Sequence, residues 1–227
     1  TNNLSVALLK NDLVFSNETF NVKNELAQII VPTIKFFLNK NSISVNQLSS
    51  IIVGCGPGGF TGIRTVIAAA KGIVFTNNNI QSIGVSGLAG LAMSVVDEAI
   101  KNNIKYIIPL IDTKRNEVFL QLFRLNDQKK LLFPFRAMNE IEVLKIEDMH
   151  EYLNKYYLYN KDILFVGHNS SSINRNNINI KISESLSQYP NAIWIGKLAL
   201  HLIKRLENTD SKDIAFDKFE PIYVRSP

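Results

Sequence analysis

Ser50-Ile51-Ile52-Val53-Gly54-Cys55-Gly56-Pro57-Gly58-Gly59-Phe60-Thr61-Gly62-Ile63-Arg64 runs straight into Thr65-Val66-Ile67-Ala68-Ala69-Ala70-Lys71-Gly72-Ile73-Val74-Phe75. A short β-branched run, a glycine-rich turn and an Ala-rich stretch follow one another with no linker. This predicts a strand at Ser50 to Val53, a tight turn, and a helix from Gly62 to Phe75, the alternation of an α/β fold. Working outward, Ser82 to Val85 reads as a strand and Leu88 to Lys101 as a helix. Upstream, Ser5 to Leu9 and Leu13 to Ser16 flank Lys10-Asn11-Asp12, which has hairpin turn chemistry. Between hairpin and strand, Val22, Leu26, Ile29, Ile30, Ile34, Phe37 and Leu38 recur at helical spacing, with Pro32 as an expected bend.

The second half repeats this grammar. Lys105 to Ile111 reads as a strand ending at Asp112, Glu117 to Leu125 with Lys130 to Arg136 as a hairpin, and Ile146 to Tyr157 as a helix. Ile163 to Val166 then reads as a strand and Ile193 to Leu206 as a helix. The duplication favours two similar α/β lobes, 1–103 and 104–227, with the last helix packing back on the first lobe. The halves differ in one respect: the first lacks a counterpart of the Lys105 to Asp112 strand. An apolar strand ending in Asp, ahead of residue 1, is therefore expected.

Composition narrows the class. With 46% hydrophobic and 20% charged residues the chain has the balance of a folded globular protein. Its apolar runs, such as Ile104 to Ile111 with Lys105 and Pro109 inside it, fall short of the roughly 20 residues of a membrane span. The single cysteine, Cys55, cannot form an internal disulfide, so a cytoplasmic location is expected. The net charge of +5 is spread along the chain without a basic cluster and does not by itself select a nucleic-acid partner.

Gly54, Gly56 and Gly59 have the G-x-G-x-x-G spacing of a dinucleotide fingerprint, between a strand and a helix. The acidic residue that would hold a ribose is missing. No Asp or Glu occurs between Leu26 and Val96, which excludes the usual dinucleotide site and a carboxylate–metal phosphoryl-transfer centre drawn from this stretch. Lys71 is too far from the glycines for a P-loop. Two readings stay open for Gly56, Gly58, Gly59, Thr61 and Arg64: an anion held by main-chain amides, with Thr61 as cap, or a turn and nothing more.

The helix behind the turn has only Arg64 and Lys71 charged and is apolar nearly all round, so it must be covered. Val31 and Phe36 likewise lie off the main stripe of the preceding helix. Two helices with surplus apolar surface point to a protein partner. Catalytic groupings are scarce. His150, His168 and His201 lack metal-ligand spacing, so no metal is assigned. Cys55 has no histidine in its half to activate it and reads as a packing residue. Asp112, Arg115 and Glu117 form a polar cluster at a strand end, which serves equally as a salt-linked turn or a site edge.

Gly54 to Arg64, followed by Ala70-Lys71-Gly72, resembles the G-x-GPGSFTG-[IL]-R…AKG signature of the TsaB (YeaZ) family. Ile111-Asp112 through Glu117-Val118 resembles that family's IDARxGEVY element, Gly167 its glycine after the late strand, and Pro221-Ile222-Tyr223-Val224-Arg225 its terminal PxYLR. The resemblance implies a two-lobed actin, sugar-kinase and Hsp70 (RNase H-like) fold with mixed sheets, built from duplicated βββαβα units. It also implies a non-catalytic subunit that pairs with a TsaD-like enzyme in making N6-threonylcarbamoyladenosine at position 37 of tRNAs that read ANN codons. A TsaE-like ATPase joins the pair, tRNA is met mainly through the complex, and ATP or ADP sits at the partner interface with no cofactor intrinsic to this chain. For the chain alone, homodimer and monomer both stay open, and no membrane is involved. The implied interface uses the first two helices, through Leu26, Ile30, Val31 and Phe37 and through Val66, Ala69, Ala70 and Ile73. Asn24-Glu25-Leu26-Ala27-Gln28 stands where the catalytic paralogue has its metal-binding His-x-x-x-His, and Gly59 and Asn116 replace the family's serine and glycine. The alternative is an ATP-dependent enzyme of the same superfamily or a peptidase-like activity.

Overall fold

The computed structural model describes residues 3–22, 25–77, 79–126, 133–168, 170–173, 180–183, 188–207 and 219–224. Asn24, Lys130 to Leu132 and Arg225 lie outside them. The chain divides into two units, Thr1–Gly87 with Asn191–Ile222, and Leu88–Pro190 with Tyr223–Pro227. The expected boundary at 103/104 is therefore displaced. The helical segment after Leu88 belongs to the second unit, and the last helix to the first.

Unit 1 begins with a hairpin of β1 (Asn3–Lys10) and β2 (Leu13–Asn21), longer at both ends than expected. Asn11 and Asp12 turn it with φ of 50° and 67°, both left-handed, as the commonest two-residue hairpin turn requires. Helix α1 (Leu26–Lys40) continues through Pro32, which lies on its exposed side. Strand β3 (Ser50–Gly54) leads through the glycine turn into α2 (Phe60–Phe75), and β4 (Gln81–Val85) pairs parallel to β3. Alternation along β1 splits its side chains between two layers. Leu4 and Val6 pack with Ile30 and Leu26 of α1, whereas the Ser5 Oγ accepts the Ala192 N–H of α6 (Ala192–Glu207) at 2.9 Å.

Unit 2 is built on β5 (Tyr106–Asp112), β6 (Glu117–Leu120), β7 (Phe123–Leu125), β8 (Phe135–Ala137), β9 (Glu142–Lys145), β10 (Ile163–Gly167) and β11 (Ile180–Ile182). They form one mixed sheet in the order β11-β10-β5-β6-β9, with β7 and β8 branching from β5. The expected single strand Glu117 to Leu125 breaks because the Asn139 side chain takes the Leu122 N–H at 2.8 Å, and β7 then moves over to β5. The expected helix Leu88 to Lys101 is two helices, α3 (Gly87–Met93) and α4 (Val96–Lys101). Ser94 causes the break by donating its hydroxyl to the Leu91 carbonyl at 2.7 Å. Helix α5 (Met149–Lys155) is shorter than expected and lays Met149, Tyr152 and Leu153 against Ile108, Leu110 and Phe165.

A polar network ties β9 to α5. Glu142 accepts hydrogen bonds from Asn139 (2.9 Å), Lys155 (2.8 Å) and Tyr156. Burial opposes ionisation of Glu142, but the bonds from Lys155, Tyr156 and Asn139 outweigh it and hold its carboxyl below the ordinary value of 4.5. Because the folded pKa is depressed, its stabilisation is present above the unfolded value and is lost as pH falls through the folded one. Glu142→Gln should therefore cost about 1 kcal/mol near pH 7, and urea unfolding should find the gap from the parent chain closing as pH falls below the ordinary carboxylate range. A gap independent of pH would contradict this.

Candidate functional site

The glycine turn is fixed by backbone bonds rather than side chains. Cys55, wholly buried, donates its N–H to the Val85 carbonyl and accepts the Ile222 N–H, both at 2.8 Å. The Gly56 carbonyl accepts the Gly87 N–H. Phe219 and Ile222 complete the cluster of Val53, Cys55, Ile67 and Ala70. Gly56 sits at φ 104°, a conformation side chains resist, whereas Gly59 is the N-cap of α2 at φ −62° and ψ 114° with nothing within 4 Å of a built Cβ. Thr61 is not the cap expected of it. The helix starts one turn position earlier, and the Thr61 carbonyl accepts the Thr65 hydroxyl inside the first turn at 2.8 Å. Arg64 reaches back over the Phe60 ring, 3.7 Å from its centroid. Gly58, Gly59, Thr61 and Arg64 thus stand together where the helix begins.

The two helices expected to meet a partner do carry exposed apolar side chains, but mostly not the ones named. Ile30, Phe37 and Ala70 are 2%, 3% and 4% exposed and belong to the unit's own interior. Leu26, Val66 and Ala69 pack into the cluster around Leu4 and Ile30, and Ile73 is half-buried. Of the eight, only Val31 is well exposed, at 53%. The outward stripe on α2 instead runs through Phe60, Arg64, Ala68, Lys71, Gly72 and Phe75, with Phe75 86% exposed. On α1 the outward apolar residues are Val31 and Phe36. Sequence reasoning missed this because a helix apolar on all sides does not mark which side the fold will cover. Phe36, flagged as off the main stripe, was the usable signal.

In unit 2, parallel pairing of β5 and β10 brings together residues the sequence separates. The Asp112 carboxylate accepts the Lys114 N–H at 2.8 Å with one oxygen and lies 3.8 Å from His168 Nδ1 with the other. His168 therefore has a carboxylate neighbour that spacing alone did not reveal. Its ring is 5.5 Å from that of Tyr189. Gly167, at φ 107°, allows the approach, since a Cβ there would meet the Leu110 carbonyl oxygen at 2.2 Å. The turn Thr113–Asn116 is closed by the Thr113 N–H to the Glu117 carbonyl at 3.0 Å and by the Arg115 N–H to the Thr113 hydroxyl at 3.2 Å. Among the described residues no three His, Cys, Asp or Glu side chains converge as metal ligands, and no helix is long and apolar enough to cross a membrane.

These geometries rank three substitutions. Gly167→Ala meets both a forbidden φ and backbone, and should cost at least about 3 kcal/mol. Gly56→Ala meets mainly the φ penalty and should cost about 1 to 2 kcal/mol. Gly59→Ser should gain a few tenths of about 1 kcal/mol as a cap. Urea denaturation of the three variants checks the order, and an equal loss at Gly56 and Gly59 would contradict it.

Residues 14–223 match the family model described as TsaD, tRNA N6-adenosine threonylcarbamoyltransferase. Among curated proteins, the chain is 26% identical over 208 residues to the tRNA threonylcarbamoyladenosine biosynthesis protein TsaB of Haemophilus influenzae, covering 89% of this chain and 83% of that one. It is 29% identical over 188 residues to the TsaB protein of Buchnera aphidicola subsp. Schizaphis graminum, covering 83% of each. Among solved structures, an uncharacterised Pseudomonas aeruginosa protein described as similar to peptidase YEAZ superposes with a TM-score of 0.71 at 22% identity, over 99% of this chain and 95% of that one. The fold is thus the two-lobed actin, sugar-kinase and Hsp70 type that the motifs implied.

Proposed function

We propose that this chain, which belongs to the TsaD family, is a non-catalytic scaffolding subunit in the synthesis of N6-threonylcarbamoyladenosine on tRNA. It pairs with a TsaD-like catalytic subunit through the outward faces of α1 and α2, and a TsaE-like ATPase and tRNA join that pair. The observation that carries the reading is the apolar outer face of these helices, Val31 and Phe36 on α1 with Phe60 and Phe75 on α2, each more than 40% exposed. Side chains of that size left in water on adjacent helices mark a surface for another protein. Ala68 and Gly72, also exposed, let a partner helix approach α2 closely. The TsaB names of its relatives support the pathway. The acid-free stretch from Leu26 to Val96, which contains the glycine turn, supports a supporting rather than a chemical role. Adenine nucleotide, where it enters, is held at the junction with the partner.

A second reading, an ATP-using enzyme, draws on the Asp112–His168 pair at the strand ends. Metal-dependent ATP turnover by the isolated chain, abolished by Asp112→Asn, would favour it over the first.

The test is to mix the purified chain with a TsaD-like subunit and follow complex mass by light scattering and threonylcarbamoyl transfer to tRNA. Both should require this chain. Ala68→Glu should abolish pairing by burying an unpaired charge in the complex while leaving the isolated chain folded, whereas Val66→Glu should unfold it. Full pairing by a folded Ala68→Glu variant would contradict the assigned surface, and transfer that proceeds unchanged without this chain would overturn the role.

A further inference from the structure

The outward faces of α1 and α2 carry charge of one sign only. Along α1 the exposed residues recur at 27–28, 31–32, 35–36 and 39–40, and along α2 at 60–61, 64, 68, 71–72 and 75. Spaced three or four positions apart, each set makes one stripe. A Cβ built on Gly62 would lie 3.8 Å from Leu26, so the first turns of the two helices are neighbours and their stripes lie side by side. Lys35, Lys40, Arg64 and Lys71 stand on these stripes, and no carboxylate does.

The stability of the helices does not account for this. The chain holds 20 Asp and Glu against 25 Lys and Arg, so a face without acids is a local feature. Solvated helix faces interleave both signs, because pairs one turn apart and the helix dipole favour it. Helices α4 and α5 do so, with Asp97 and Glu98 ahead of Lys101 and Glu151 ahead of Lys155. The first turns of α1 and α2 hold no acid, and Arg64 stands near the start of α2, where the dipole disfavours a cation. Glu18 of β2 answers Lys40. Among the described residues, Lys35 and Lys71 have no acidic neighbour at ion-pair distance.

We infer that this face takes an acidic protein surface: carboxylates of the TsaD-like subunit that meet Lys35 and Lys71, around an apolar middle that receives Ala68, Gly72 and Phe75. The inference rests on the assignment of these faces to that subunit and adds the chemistry by which the subunit is chosen. A second copy of this chain fits less well, since any self-docking of the face sets cations against cations with no carboxylate between them. Nucleic acid also fits less well. Four cations over two helices, with phenylalanines between them, are sparse for a phosphate track, and the Arg64 guanidinium covers a Phe60 face that a base would stack on. Salt separates the two protein occupants. Screening weakens contact between opposite charges and relieves contact between like ones, so pairing with the subunit falls as salt rises, whereas self-association through the same face rises.

The test is the affinity of the full chain for a TsaD-like subunit, read by titration calorimetry, beside the mass of the chain alone, read by light scattering. Between about 0.05 and 0.5 M NaCl the Kd for pairing should rise about tenfold or more, and any self-association should strengthen. At the lower salt, Lys35→Glu with Lys71→Glu should weaken pairing about tenfold or more, and Lys35→Gln with Lys71→Gln by less, in chains whose urea midpoints match the parent's. Pairing that is indifferent to salt and to both double substitutions overturns the inference and leaves the pairing itself standing. Absence of a complex at every salt concentration overturns the pairing and the inference with it. Loss of tRNA binding by the isolated Glu variant, with pairing unchanged, would give the face to RNA and overturn the inference as well.

Discussion

One buried residue holds the first unit's glycine turn together. Cys55 is fully inaccessible, and its peptide groups bond to β4 on one side and to the C-terminal segment at Ile222 on the other. Both bonds are main-chain bonds shielded from water, where leaving either group unpaired would cost on the order of 1 to 3 kcal/mol. The turn's shape is thus specified by three segments at once: β3 that enters it, β4 beside it, and the segment around Ile222 that closes it. Helix α2 inherits its direction from that arrangement.

From that direction follows which side of α2 faces outward. Ile67 and Ala70 are drawn into the cluster with Val53 and Cys55, and Val66 and Ala69 into the cluster with Leu4 and Ile30. Little remains for the outer face but Phe60, Arg64, Ala68, Lys71, Gly72 and Phe75. Two aromatic side chains flank two small residues there, with both cations of the helix on the same side. A surface of this kind offers a partner apolar area at its ends and close backbone approach at its middle. The Arg64 side chain over Phe60 keeps a charge beside the glycine turn.

The order of strands and helices was legible in the sequence wherever hydrophobic spacing was long, as in α1, α2 and α6, and wherever turn chemistry was explicit, as at Asn11-Asp12. It was not legible at β9 and β11, which are four and three residues long and carry too few alternations to stand out. The breaks at Ser94 and at Asn139 arise from side chains that capture main-chain groups, one locally and one from 17 positions away. The candidate surface was half legible. Periodicity found the right two helices, but in a run such as Ala68-Ala69-Ala70 only tertiary packing decides that the first residue faces out and the last is buried. The Asp112–His168 approach depends wholly on β5 and β10 lying side by side, which no local pattern encodes.

On the proposed assignment, the outer face of α2, and not the exposed residues of unit 2, meets the catalytic partner. A photo-crosslinking side chain introduced at Phe75, and in a separate protein at the equally exposed Tyr157 of unit 2 (86% and 87%), tests it when each is irradiated with a TsaD-like subunit. Position 75 should give a covalent adduct and position 157 none. An adduct from position 157 alone, with position 75 silent, would contradict it.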